Sequence, residues 1–81
     1  MITSEQIRAA RSFLRMTVVE LASLSGVGIA TIKRLEACKG VPAAHAKTLD
    51  SLGRALEKAG VDFIGSPDDR PGVRLKEPRK G

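Results

Sequence analysis

A capping box, a glycine break and a second short helical pattern follow one another between residues 17 and 39, and this order of signals constrains the fold more than any other feature of the chain. Thr17-Val18-Val19-Glu20 places a hydroxyl and a carboxylate at the spacing where each can accept a hydrogen bond from the other's free backbone N–H. A helix therefore starts at Val18, with Leu21, Ala22 and Leu24 expected to face inward. Ser25-Gly26-Val27-Gly28 breaks it. Gly26 suits the left-handed backbone that a tight reversal needs. A second helix is expected from about Gly28 to Ala37 or Lys39, with Ile32 and Leu35 as its buried pair. Cys38 or Gly40 ends it, and Val41-Pro42 prevents continuation.

Flanking patterns complete one domain. Thr3 and Gln6 form another capping-box spacing, opening a helix from Ser4 to about Arg15 with Ile7, Ala10 and Leu14 on one stripe. Arg8, Arg11 and Arg15 fall on its other faces. Leu49, Leu52, Leu56 and Ala59 keep helical spacing over His45 to Ala59, and Gly60 is a fitting stop. Val27 joins these residues in the expected core. Val61-Asp62-Phe63-Ile64 and Val73-Arg74-Leu75 then alternate like strands around the turn formers of residues 65–72. A hairpin with a long loop is predicted, with Val61 and Phe63 opposite Val73 and Leu75. The organisation is thus residues 1–60 as a helical unit, 61–75 as a hairpin extension of it, and 76–81 as a flexible basic tail carrying Lys76, Arg79 and Lys80.

The formal charge of +5, from 14 basic and 9 acidic side chains in 81 residues, favours a polyanionic partner, nucleic acid before membrane. Phe13 and Phe63 are the only aromatics, which disfavours a base-stacking platform for single strands or RNA. One cysteine, Cys38, excludes an internal disulfide framework and a cysteine-rich zinc site. Without a signal-peptide pattern or a long apolar run, the chain reads as cytoplasmic, with no membrane partner.

The run Thr17 to Glu36, with its Leu21-Ala22 pair, Gly26-Val27 turn and Thr31-Ile32…Leu35-Glu36, resembles the Cro and lambda-repressor-like helix-turn-helix family. The resemblance covers about residues 4–60. The tail looks like a small bacterial subset in which an extended segment replaces a fifth helix. The implied fold is mainly α, a four-helix lambda-repressor-like domain with a C-terminal β-hairpin. The implied function is non-enzymatic: a transcriptional regulator, as a homodimer on double-stranded DNA, nucleoid-associated when bound, with no cofactor and no metal.

In such a domain the second helix of the motif enters the major groove N-terminus first. Gly28, Ile29, Ala30 and Arg34 match positions that face base edges or adjacent phosphates, with Thr31 at the edge. Arg34 can make a bidentate contact to guanine, Lys33 meets phosphate, and Ile29 and Ala30 can touch thymine methyls. Thr17 and the helix N-terminus beside it can donate to a phosphate oxygen. Arg11 and Glu36 match a family ion pair that bridges the first and third helices and orients the recognition helix. Two positions depart from the pattern. Val18 stands where a glutamine-like side chain is common, and Cys38 stands where glycine usually stops the helix.

A second class of function stays open. Val18, Val19 and Ile29 could form an exposed apolar face, which suits a protein partner, as in an antiactivator or antitoxin subunit. Enzyme chemistry has no paired carboxylates, phosphate loop or metal cluster to rest on. His45 stands alone and reads as a helix cap or an exposed residue. No His-Asp constellation accompanies Cys38. The hairpin either covers the open end of the core or pairs two copies through its edge.

Overall fold

The computed structural model describes residues 1–77. The part of the basic tail with Arg79 and Lys80 lies outside these described residues. The order is α1 (Ser4–Leu14), α2 (Val18–Ser25), α3 (Ile29–Glu36), α4 (Ala46–Ala59), β1 (Val61–Ser66) and β2 (Asp69–Leu75). Four helices and then an antiparallel hairpin are the layout that the patterning predicts. Among the described residues, no helix is long and apolar enough to cross a membrane.

Both capping boxes form. Thr3 Oγ1 accepts from Gln6 N at 3.1 Å while Gln6 Oε1 accepts from Thr3 N at 2.9 Å. Thr17 and Glu20 exchange the same two bonds, each at 3.0 Å. Gly26 closes α2 with φ of 75°, as the reversal into α3 requires.

Ile7, Ala10, Leu21, Ile32, Leu35, Leu52, Leu56 and Val61 are fully buried and Leu49 nearly so. Leu14, Ala22 and Val27 are half-buried at the margin of this core. Leu24 departs from expectation, since 61% of it is exposed. The inward stripe of α2 is Val18, Leu21, Ala22 and Ser25, an i, i+3, i+4, i+7 set, and Leu24 points well to its side. Ala59 is also exposed, and Ala55 takes the buried place one turn earlier.

The hairpin keeps the predicted register, Val61 opposite Leu75 and Phe63 opposite Val73. Its loop is short, not long. The ladder slips at a bulge around Gly65, whose φ is 75°, and then continues to Ser66 and Asp69, leaving only Pro67 and Asp68 between the strands. A Cβ at residue 65 would collide with the Arg70 carbonyl oxygen, so only glycine fits there. Val61, Phe63, Val73 and Leu75 lie against the core, so the hairpin closes the open end of the bundle.

Neither expected stop of α3 operates in its simple form. The helix ends at Glu36 with Ala37 still right-handed, Cys38 is not left-handed, and Gly40 takes φ of 68° only further along the chain. The Gly40 carbonyl then accepts from Ser4 N at 2.8 Å. Gly40→Ala should therefore cost about 1–2 kcal/mol from backbone conformation alone, since its Cβ meets open space. Cys38→Gly should lower stability by a few tenths to about 1 kcal/mol through unfolded-state entropy. Urea midpoints of the two variants check both signs.

Candidate nucleic-acid interface

Helix α3 buries only Ile32, Leu35 and Glu36. Gly28, Ile29, Ala30, Lys33 and Arg34 are exposed and Thr31 is half-buried at the edge. The predicted residues of α3 thus share one outward face, whereas Thr17 and Val18, predicted with them, stand at the start of α2. Gly28 is the N-cap of α3 and supplies no side-chain cap, so among the described residues no side-chain cap occupies the first-turn donors of that helix. Such a helix start favours an anion.

Thr31 borders two shallow clefts between α3 and the start of α4. One adds Arg34, Ala43, His45 and Thr48, and the other adds Gly28, Lys47, Thr48 and Ser51. Arg34 Nη1 lies 3.4 Å from the Ala43 carbonyl oxygen, a weak contact on an exposed side chain that leaves the guanidinium free to turn outward. Lys47 and Thr48, in the first turn of α4, extend this polar rim. They belong to no sequence motif; only the packing of α4 beside the turn brings them near Thr31. His45 is the exposed N-cap residue of α4 and makes no side-chain cap bond.

Three residues of α1 hold the C-terminal end of α3. Ser4 Oγ donates to the Leu35 carbonyl at 2.6 Å. Arg8 Nη1 donates to the Glu36 carbonyl and, at 3.4 Å, to that of Cys38. Arg11 grips the Glu36 carboxylate with two bonds of 2.7 and 2.8 Å and donates to the Met16 carbonyl at 2.9 Å. The predicted pair is thus a bidentate bridge, with 23% of the Arg11 and 9% of the Glu36 side chain exposed. Hydrogen bonding to Glu36 raises the Arg11 pKa, so the bridge favours the charged guanidinium. Nothing in the sequence marks Ser4 and Arg8 for this role. Their partners are the free carbonyls at the end of a helix, which leave no trace in residue type.

At α2 the expected anion site is partly occupied. Glu20 Oε1 already accepts from Thr17 N, so a phosphate there would compete with a carboxylate. Thr17 itself is exposed. The Thr17 backbone N–H, and then its hydroxyl, lower the Glu20 pKa below the ordinary 4.5. Glu5 is lowered too, by its own backbone N–H and then by that of Gly40, which donates at 3.0 Å. Depressed folded pKa values give stability that is present above the unfolded value and lost as pH falls through the folded one. Acidification below pH 4.5 should therefore lower the urea midpoint. Glu20→Gln, which keeps an acceptor at the cap but does not titrate, should flatten that loss.

Val18 is half-buried and packs on the core, while Val19 is 61% and Ile29 40% exposed. The predicted three-residue apolar face is thus reduced to Val19 and Ile29. Cys38 is half-buried, with its thiol 3.4 Å from the Arg34 carbonyl oxygen. Among the described residues, no group of three or more His, Cys, Asp or Glu is placed to hold a metal ion. No protein-family profile and no curated protein matches the chain.

Proposed function

We propose that this chain is a sequence-specific, double-stranded DNA-binding transcriptional regulator of the lambda-repressor-like helix-turn-helix design, acting as a homodimer. The observation that carries the reading is the outward face of α3. Lys33 and Arg34 stand exposed on a helix whose start has no side-chain cap and whose end is held by Ser4, Arg8 and Arg11. A helix so fixed can enter a major groove without reorganising, which keeps the ordering cost of binding low.

Arg34 reads guanine, Lys33 neutralises phosphate, and Ile29 and Ala30 contact thymine methyls. Thr31 and Thr48 line the adjoining rim, where the backbone of DNA would pass. The basic excess of the whole chain adds attraction independent of sequence. Regulation follows from occupying a promoter or from recruiting a partner there.

Selection from randomised duplexes, together with fragments of the protein's own upstream region, tests this. The expected product is a pseudo-palindrome with half-site centres about 10 base pairs apart, one turn of DNA. Exposed Val19, Leu24 and Ile29 favour one other reading, a protein-binding module on the same scaffold. That reading takes over if no duplex is enriched and Ile29→Asp disrupts a protein complex.

A further inference from the structure

Next to the clefts beside Thr31, and sharing Lys47 with one of them, a groove runs between α4, the first residues of the chain and β1. Its apolar lining includes Ile2, Gly53 and Phe63. Gly53 lacks a side chain there, and a Cβ would meet only Ile2 Cδ1, at 3.7 Å. Four exposed charges line the same groove along α4: Lys47, Asp50, Arg54 and Glu57. Their spacing of i, i+3, i+7 and i+10 puts all four on one helical face. Their signs alternate, plus, minus, plus, minus.

We propose that a second copy of this chain docks on this face, with the two α4 helices antiparallel about a two-fold axis at the level of Leu52. The charge pattern singles out that occupant. A two-fold contact requires that if residue i meets residue j, then j meets i. Positions 47 and 57, and positions 50 and 54, are both centred on 52. Antiparallel pairing therefore sets Lys47 against Glu57 of the second copy and Asp50 against its Arg54, and the same contacts recur by symmetry. Every charge of the stripe meets its opposite. Parallel pairing would set like against like.

The stripe sums to zero on a chain of +5, which does not suit a polyanion. Asp50 and Arg54 already pair within the helix at 2.9 Å, with 62% and 73% of their side chains exposed. Across the axis this pair would join its symmetry mate as a four-charge network. Exposed ion pairs add little affinity, so the apolar lining supplies attraction and the charges supply register and orientation.

This dimer rests on the DNA-binding reading only for the expectation that two copies associate. Its test contains no DNA, so its failure and the failure of DNA binding are distinguishable. Sedimentation equilibrium of the whole chain should show a reversible dimer. Arg54→Glu sets a carboxylate at position 54 against Asp50 of the second copy, twice over. Asp50→Lys sets an ammonium at position 50 against Arg54 of the second copy, again twice over. Each variant alone should self-associate roughly tenfold or more weakly. Their equimolar mixture should form a heterodimer near wild-type strength, because no like-charge contact is then left: the two reversed positions face each other with opposite signs, and the unaltered Asp50 of one variant faces the unaltered Arg54 of the other. Melting curves of both variants check that they remain folded. A wild-type chain that is monomeric at all concentrations would overturn the proposal. So would a dimer indifferent to either reversal, or a mixture that fails to associate.

Discussion

Leu52→Ala should destabilise the fold by about 2–5 kcal/mol. Leu52 is fully buried in the middle of α4, the longest helix, which packs against α1, α2 and β1. Truncation removes transfer free energy and leaves a cavity on a helix that three other elements hold in place, so collapse around it is limited. Domains of this size have only about 5–15 kcal/mol in total, so one leucine carries a large share. The urea midpoint should fall with little change in slope, and the melting temperature should drop by about 10 °C or more. Leu24→Ala is the internal control. It removes the same atoms from a side chain that is 61% exposed, and should change stability by no more than about 0.5 kcal/mol.

The second large effect is expected at Arg11 and Glu36. Losing one partner of a buried pair leaves the other charge without compensation, a loss of about 3–5 kcal/mol for fully buried pairs. Arg11 is 23% exposed and also donates to the Met16 carbonyl, so Glu36→Ala leaves its guanidinium partly satisfied. We expect about 2–3 kcal/mol for that variant. Arg11→Ala is expected to cost at least as much, because it strips the Glu36 carboxylate of both bonds that hold it. The double variant should be less destabilised than the sum of the two. A double-mutant cycle giving a coupling above about 1 kcal/mol supports the bridge, and no coupling removes it. Because the pair joins α1 to the last turn of α3, either single variant should also loosen the interface before the protein unfolds. Hydrogen exchange of the α3 amides reads that directly.

These residues also show what a sequence makes legible. Capping boxes and the register of the hairpin are readable because each depends on residue types a few positions apart or on simple alternation. Gln6 shows the boundary. As a cap it needs only an acceptor, and its Oε1 serves Thr3. Its amide nitrogen also donates to the Ile64 carbonyl at 3.2 Å and to that of Gly72 at 2.9 Å, tying the hairpin to α1. Glutamate at this position could cap but could not make those two bonds. Nothing local to residue 6 distinguishes the two roles.

Leu24 shows the opposite case. Its spacing from Leu21 permits burial, and only the direction from which the neighbouring helices approach decides against it. The short turn of the hairpin is hidden among Gly, Pro and Asp residues that equally suit a long loop. It depends on the bulge at Gly65, which is a property of the paired strands. On the outward face of α3, Lys33 and Arg34 follow from helix periodicity. Lys47 and Thr48 require the packing of α4 beside the turn before α3.

The outward face of α3 is proposed to contact DNA. Fluorescence anisotropy on a selected duplex, repeated over a series of salt concentrations, reads that contact. Log affinity should fall linearly with log salt, as released counterions require. Lys33→Ala should weaken every duplex about equally and reduce that slope by about one phosphate contact per half-site. Arg34→Ala should instead cost roughly 1–3 kcal/mol and relax base preference at a single position of each half-site. Absence of binding at low salt to any duplex, or binding unchanged by both substitutions, would contradict a DNA contact at this face.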